Sequence, residues 1–459
     1  MFCNSTITDL FLFVFTQLIL HYLLWRNELH MSKKFYIFSD ESNHDKSITN
    51  KGDNINIDNK GLSREYVRSF LKIDTSCLNC VRDEVESLEN RYFSCQGSEP
   101  KGKDLFKLSE KVGLKNLSEG ATNYFFKLLD IIDKYDIKIF LVIFNKFEYV
   151  IIKSVEIDLN RLSKKIKCTL EEDKEIKYSL AKFFENHYSD RLCNALFKEK
   201  NSQTNYRIKK AIYDMNKGLK NHKLKDYEYI VGKNLYSLID DGIVSFNTKG
   251  SYKWDYTFES KVFLDLMNQD DNRKITISFD KGTRVSAVFK EQLISRNIEN
   301  IEVTEDIESK EDIFIRFSDY FATFFGKLSR SYSNSFKLKD FETGKKNYST
   351  VESIPQSWFE LDETQFYLAK RIGELINKGS VILLHGILAD TPIGLKNYFQ
   401  FISDFKEFSD YQAVDNVKLS QLNNQRLSET WNTSYSKQGI FFSPYDATYG
   451  ALSEDFGKS

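Results

Sequence analysis

Four acidic residues stand where a carboxylate is costly unless something compensates it. Asp40 ends the apolar run 35–39 (FYIFS), and Asp280 ends the alternating run 274–280 (KITISFD). Asp319 interrupts the aromatic stripe of 313–328 (IFIRFSDYFATFFGKL), and Glu99 lies in 98–103 (SEPKGK) beside Lys101. A carboxylate inside an apolar stripe demands an Arg, a Lys or a metal ion as partner. With four acids gathered, divalent cations are the economical compensation, and Mg²⁺ or Mn²⁺ takes oxygen ligands while keeping waters for hydrolysis. Two such ions about 3.5–4 Å apart stabilise the attacking and the leaving oxygen of a phosphodiester displacement. Asp40, Glu99, Asp280 and Asp319 are therefore the candidate catalytic and metal-ligating residues. Glu41 follows Asp40 in an extended chain, so it points to the opposite side and reads as structural. Taken singly each acid has an ordinary explanation: a strand-end Asp forms a turn or cap, and Glu99 with Lys101 makes a solvated loop pair. Asp319 resists that explanation most.

Other chemistries have less behind them. Cys77, Cys80 and Cys95 offer three zinc ligands, but no second CxxC or HxxxH completes a tetrahedral site, and buried thiols are the simpler reading. His44-Asp45 lacks a second His-bearing helix, and His385-Gly386 has no Ser or Cys motif around it. Neither GxxxxGK[ST] nor GxGxxG occurs, so nucleotide binding has no motif support.

The elements that must carry these acids follow from periodicity. Strands are expected at 35–39, 66–73 (YVRSFLKI), 137–144 (IKIFLVIF), 274–280, 301–303 and 380–384, with 149–152 pairing beside 137–144. Helices are expected at 84–93, 119–134, 283–296, 313–328 and 363–378, and a polar loop at 45–63. The run at 35–39 is expected to deliver its acids to a sheet edge. This is an α/β pattern, a sheet flanked by helices. Residues 155–250 change character, being helical and rich in Lys, with Leu162, Ile166, Leu180, Phe183 and Phe184 as core. Within 198–225, nine Lys or Arg face two acids, with Tyr206 and Tyr213 interleaved. Such a helix tracks a phosphate backbone or is a solvated face; Arg207, Lys209, Lys210, Lys217 and Lys220 are the nucleic-acid-binding candidates.

At 459 residues the chain exceeds one ordinary domain. Its 41% hydrophobic and 29% charged residues exclude a disordered or fibrous protein. Lys and Arg total 65 against 66 acids, so net charge names no partner and local patches must do so. Six scattered Cys fit a reducing, cytoplasmic compartment. The apolar stretch 10–25 is short for a membrane span and lacks the flanks of a signal peptide. Residues 1–30 are expected to be an upstream extension, with the functional protein starting at Met31; a membrane anchor is the alternative, and a membrane partner is not favoured.

In order, the pieces resemble the domain-of-unknown-function family 3800. The matching stretches are FYIFSDESN at 35–43, SEPKGKDL at 98–105, ITISFDKGT at 275–283 and FIRFSDYFATFFG at 314–326. Asn43 stands where that family usually has Gly, and Ser318 where it usually has Ala. The resemblance implies a variant RNase H-like mixed sheet over residues 31–154 and 251–335, interrupted by the helical, basic insertion 155–250. It leaves 336–459 as a C-terminal accessory α+β unit that binds a protein partner or gates the site. It further implies that Asp40 bridges two metals, Asp280 ligates one and Asp319 completes the other. Glu99 would join them, with Glu84, Glu86 and Glu89 as its substitutes, and Lys101 would contact the scissile phosphate or orient a water. The implied function is a metal-dependent nuclease or phosphodiesterase, in the bacterial defence settings where such proteins are found. The competing reading is a non-catalytic nucleic-acid or partner-binding scaffold whose acids pair with Lys101 and Arg284.

Overall fold

The computed structural model describes residues 34–43, 47–49, 64–93, 101–108, 111–166, 172–186, 190–219, 226–267, 273–281, 284–304, 306–335 and 354–437. The N-terminal stretch 1–30, Glu99, Cys95, Lys220 and the pair His44-Asp45 lie outside them. The strands in chain order are β1 (Phe35–Ser42), β2 (Ser47–Thr49), β3 (Glu65–Asp74), β4 (Lys138–Asn145), β5 (Val155–Ile157), β6 (Val244–Phe246), β7 (Ser251–Lys253), β8 (Ile275–Phe279), β9 (Ile301–Val303) and β10 (Val381–His385). Six of them make one mixed sheet in the order β10-β4-β3-β1-β8-β9. β3 runs antiparallel to β1 and to β4, whereas β8 is parallel to β1, β9 to β8 and β10 to β4.

Period-two alternation splits each central strand between two cores. Phe38, Val67, Leu71 and Leu141 face the helices Leu78–Phe93, Glu119–Lys134, Ile313–Ser335 and Glu363–Lys378. Ile37, Phe70, Val142 and Ile277 face the helices Thr257–Met267 and Val285–Ser295 and the insertion. Phe70 stacks on Phe263 with centroids 3.9 Å apart, and Phe125 on Phe324 at 4.0 Å. The Ile313–Ser335 helix is buried on nearly every side, the mark of a helix wrapped by other elements. With both faces covered, β1 is an interior strand. Its acids lie within β1, which continues to Ser42, in the middle of the sheet between β3 and β8 and not on an edge strand.

Two further expectations change. Residues 149–152 belong to the helix Lys146–Ser154, because Asn145 caps it by accepting the Phe147 N–H at 2.8 Å. A short apolar run cannot distinguish strand from buried helix by period alone. The thiols of the CxxC are not buried: Cys77 is partly exposed and Cys80 exposed at the start of Leu78–Phe93.

The insertion consists of the helices Leu159–Ile166, Glu172–Asn186, Asp190–Leu196, Thr204–Leu219 and Asp226–Asp240. Its two ends are pinned by the antiparallel pair β5–β6, and β7 pairs with β2. Leu162, Leu180, Phe183 and Phe184 are buried as the pattern requires. Among the described residues no helix is long and apolar enough to cross a membrane.

The C-terminal third is stitched to the sheet by β10 and by Glu148. Both carboxylate oxygens of Glu148 accept backbone N–H groups just after β10, from Ile387 at 2.6 Å and Leu388 at 2.9 Å. Burial pushes its carboxyl up to about 8 despite those two donors. The folded chain then holds a proton that the unfolded chain, with a value near 4.5, has released. Stability from this group is complete at acid pH and is lost as pH rises from about 4.5 to about 8. Urea midpoints should fall over that range, and Glu148→Gln should flatten the slope. An unchanged slope in the variant would assign the dependence elsewhere.

Candidate functional site

Strand register brings two of the acids side by side. Ser39 is the partner of Phe279 in the parallel β1–β8 pair, so the next residues are Asp40 and Asp280. The Asp280 N–H donates to the Ser39 carbonyl at 3.2 Å, and Asp280 bridges onward to Ile307. The Ile313–Ser335 helix, packed across β1 and β3, supplies the third acid. Its Ser318 hydroxyl accepts the Asp40 N–H at 3.2 Å and donates to the Ser69 carbonyl at 3.2 Å, clamping the helix to both strands. Asp319 follows directly. Two close approaches complete the frame. At Gly102 a Cβ would meet Thr323 Cβ at 2.9 Å and Asp319 Oδ2 at 3.3 Å. At Gly326 it would meet Ser42 Oγ at 2.8 Å. Asn43 takes the left-handed φ of 61° that Gly or Asn adopts at least cost, and its Nδ2 donates to the Gly326 carbonyl at 3.2 Å.

Each carboxylate is held by a local donor. Asp40 Oδ1 accepts the Glu41 N–H at 2.7 Å, and Asp280 Oδ1 accepts the Ser309 N–H at 3.1 Å. Asp319 Oδ2 accepts the Gly102 N–H at 3.1 Å, and its Oδ1 accepts the Thr323 hydroxyl at 2.9 Å. Lys101 Nζ donates to Ser309 Oγ at 3.2 Å, beside Asp280, whose carboxylate feels its charge. Burial holds the Asp40 carboxyl well above the usual carboxylate range, and repulsion from Asp319, Glu41 and Asp280 raises it further. Asp280 is also raised, first by burial and then by Glu41, against the Ser309 and Lys281 N–H groups and Lys101. The three acids therefore share one field, repulsive at Asp40 and answered in part by Lys101 at Asp280 and by Lys327 near Asp319.

Glu41 points the other way, as alternation requires. It pairs with Arg68, a fully buried cation on β3. Arg68 also donates to the Tyr66 hydroxyl at 2.8 Å and Ser39 Oγ at 3.2 Å, with Glu259 at 3.8 Å. Glu41 is thus structural in its contacts, yet its charge reaches both Asp40 and Asp280. The helical substitutes for Glu99 are committed elsewhere. Glu84 binds Lys134 and Tyr135, Glu86 is exposed, and Glu89 grips Arg316 through both oxygens while accepting from Tyr320. Arg284 is exposed at the start of Val285–Ser295. His385 ends β10 with Nδ1 2.8 Å from the Gly386 carbonyl, a strand-end turn.

Among the described residues no three His, Cys, Asp or Glu side chains stand close enough to hold a metal ion. The donor chemistry fits a hard cation, and so does the repulsion felt at Asp40, but the described carboxylates do not by themselves form a three-ligand group. Each carboxylate is held by a backbone or hydroxyl donor of its own. On the insertion, Lys209 pairs with Asp240 and Arg207 donates to Gln203 at 3.0 Å, whereas Lys210 and Lys217 are exposed.

Sequence reasoning did not find Arg68, Glu259, Ser309 or Gly102. Only Gly102 carried a signal, a glycine directly after Lys101, and it opens the short helix Gly102–Leu105. Among known proteins, no family model matches the chain, and no curated protein or solved structure matches it.

Proposed function

We propose that the chain is a metal-dependent nuclease or phosphodiesterase on an RNase H-like core. The observation that carries this reading is the convergence of Asp280 and Asp319, both part-buried, on the buried Asp40, whose carboxyl feels the charge of both, from three distant segments. The strand order supports it. β1, β3 and β4 form an antiparallel run, and β8 and β9 add in parallel beyond β1, as an RNase H-like sheet requires. The motif order that resembles domain-of-unknown-function family 3800 points the same way.

Asp40, Asp280 and Asp319 would hold Mg²⁺ or Mn²⁺, and Glu99 would join them. Such ions, when bound, polarise a phosphodiester and lower the pKa of water. The chain's own contribution is orientation. Ser318 fixes the backbone of Asp40, Ser309 and Gly102 fix the rotamers of Asp280 and Asp319, and Lys101 offers a cation to a phosphate oxygen. The second reading is a scaffold of the same fold that binds nucleic acid without cutting it; among the described residues the acids form no three-ligand group.

Labelled single- and double-stranded DNA and RNA, incubated with and without Mn²⁺, separate the two. The enzyme reading expects Mn²⁺-dependent cleavage that Asp40→Asn/Asp280→Asn reduces to background. Absence of cleavage together with no calorimetric Mn²⁺ binding would leave the scaffold.

A further inference from the structure

The outer side of the insertion carries a repeated pattern that the acid cluster does not use. In the Thr204–Leu219 helix, Tyr206, Lys210, Tyr213 and Lys217 fall at i, i+4, i+7 and i+11 and share one exposed face. The neighbouring Asp226–Asp240 helix repeats the spacing with Tyr229, Lys233 and Tyr236, so both read Tyr-x3-Lys-x2-Tyr. The two patterns adjoin: the Tyr213 and Tyr236 rings have centroids 6.2 Å apart, and Lys209 Nζ lies 5.4 Å from the Tyr236 centroid. Tyr206 is 58% exposed and Tyr213 56%, and among exposed large apolar side chains of the described residues only Ile294, at 77%, exceeds them.

The core does not need these rings. Ile208, Ala211, Ile212 and Leu219 already bury the opposite face of the first helix. Seven residues at 1.5 Å rise set Tyr206 and Tyr213 about 10 Å apart along the axis, or about three stacked nucleotide steps of 3.4 Å. Aromatic platforms alternating with cations suit a strand whose base faces are open and whose phosphates need neutralising. A duplex hides its base faces, so it could use the lysines but not the rings.

We propose that this face binds single-stranded nucleic acid, with bases stacked on Tyr206 and Tyr213 and phosphates on Lys210 and Lys217. The proposal rests on the reading of the chain as a nucleic-acid enzyme and names the form of strand it would take. The test is fluorescence anisotropy with a labelled oligo(dT) or oligo(U) strand and a duplex of equal length. The full chain carries Asp40→Asn/Asp280→Asn so that the probe survives. The single strand should bind more tightly than the duplex. Tyr206→Ala/Tyr213→Ala should weaken single-strand binding about tenfold or more, and Tyr206→Phe/Tyr213→Phe should retain it. Lys210→Gln/Lys217→Gln should reduce the log–log salt slope by about 1.4. These side chains are exposed, and equal thermal melts would show that the variants fold. Equal affinity for duplex, no loss in the alanine variant, equal loss in the phenylalanine variant, or no binding to any strand would each overturn the proposal. Strand binding without Mn²⁺-dependent cleavage by the wild type would overturn the nuclease reading alone. Cleavage with binding indifferent to the tyrosines would overturn this one alone.

Discussion

Asp40→Asn should melt at a higher temperature than the wild type when metal is absent, and should lose Mn²⁺-dependent cleavage. The side chain is 9% exposed and surrounded by Glu41, Asp280 and Asp319. Its carboxyl is raised in the folded chain, so the folded protein releases that proton at higher pH than the unfolded one. The sign follows: stability is highest at acid pH and falls as pH rises above the ordinary value of 3.8 towards the raised one. Asparagine keeps the shape and an oxygen for the Glu41 N–H, but carries no charge. The variant should therefore lack this fall, and at neutral pH each kcal/mol relieved should raise Tm by about 1 °C in a chain of this length. Mn²⁺ should reverse the ranking. Binding to the folded state stabilises the wild type by mass action, and the variant should not respond. Scanning calorimetry at two pH values, with and without Mn²⁺, reads all of this. A lower Tm for the metal-free variant would mean that the acids are not in mutual repulsion, and the enzymatic reading would lose its main support.

The position of each acid was legible in the sequence, because that signal is local. Asp40 and Asp280 close apolar runs, and Asp319 breaks an aromatic stripe, so each announces an acid where burial is expected. Their convergence needed only parallel pairing of two strands and a helix across them. The helix at 146–154 was legible in part: Asn145 and Glu148 have the spacing of an N-terminal capping pair, which the apolar run that follows obscured. Arg68 was not legible. In YVRSFLKI it alternates with apolar neighbours and so resembles a solvent-facing residue. Both sheet faces are covered, however, and β3 is buried almost throughout. The acid that helps to justify a buried cation there, Glu259, arrives from the far side of the insertion, beyond the reach of any local pattern.

Arg68→Met should be the most damaging single substitution in the sheet, costing about 3–5 kcal/mol. Arg68 is fully buried, as is Glu259, and the Glu41 side chain has 8% of its surface exposed. Removing the cation leaves two buried carboxylates without the positive charge that both of them face. Glu259 Oε1 accepts the Trp254 Nε1–H at 3.2 Å, but Oε2 finds no hydrogen-bond donor among the described residues, so the carboxylate would be only partly compensated. A loss of that size is a large share of the roughly 5–15 kcal/mol that holds a typical protein folded. Arg68→Lys should fall between, since an ammonium cannot reproduce the fork that reaches Glu41, Tyr66 and Ser39 together. The informative variant is Arg68→Met/Glu41→Gln/Glu259→Gln, which removes both the cation and the charges it answers. It should recover most of the lost stability in urea titrations, because unpaired charge costs more than an absent ion pair. If the triple variant is no more stable than Arg68→Met, the damage comes from lost packing, not from stranded carboxylates. If it recovers, the network behind β1 is an electrostatic counterweight that lets Glu41 remain beside Asp40 without adding its full charge to the acid cluster.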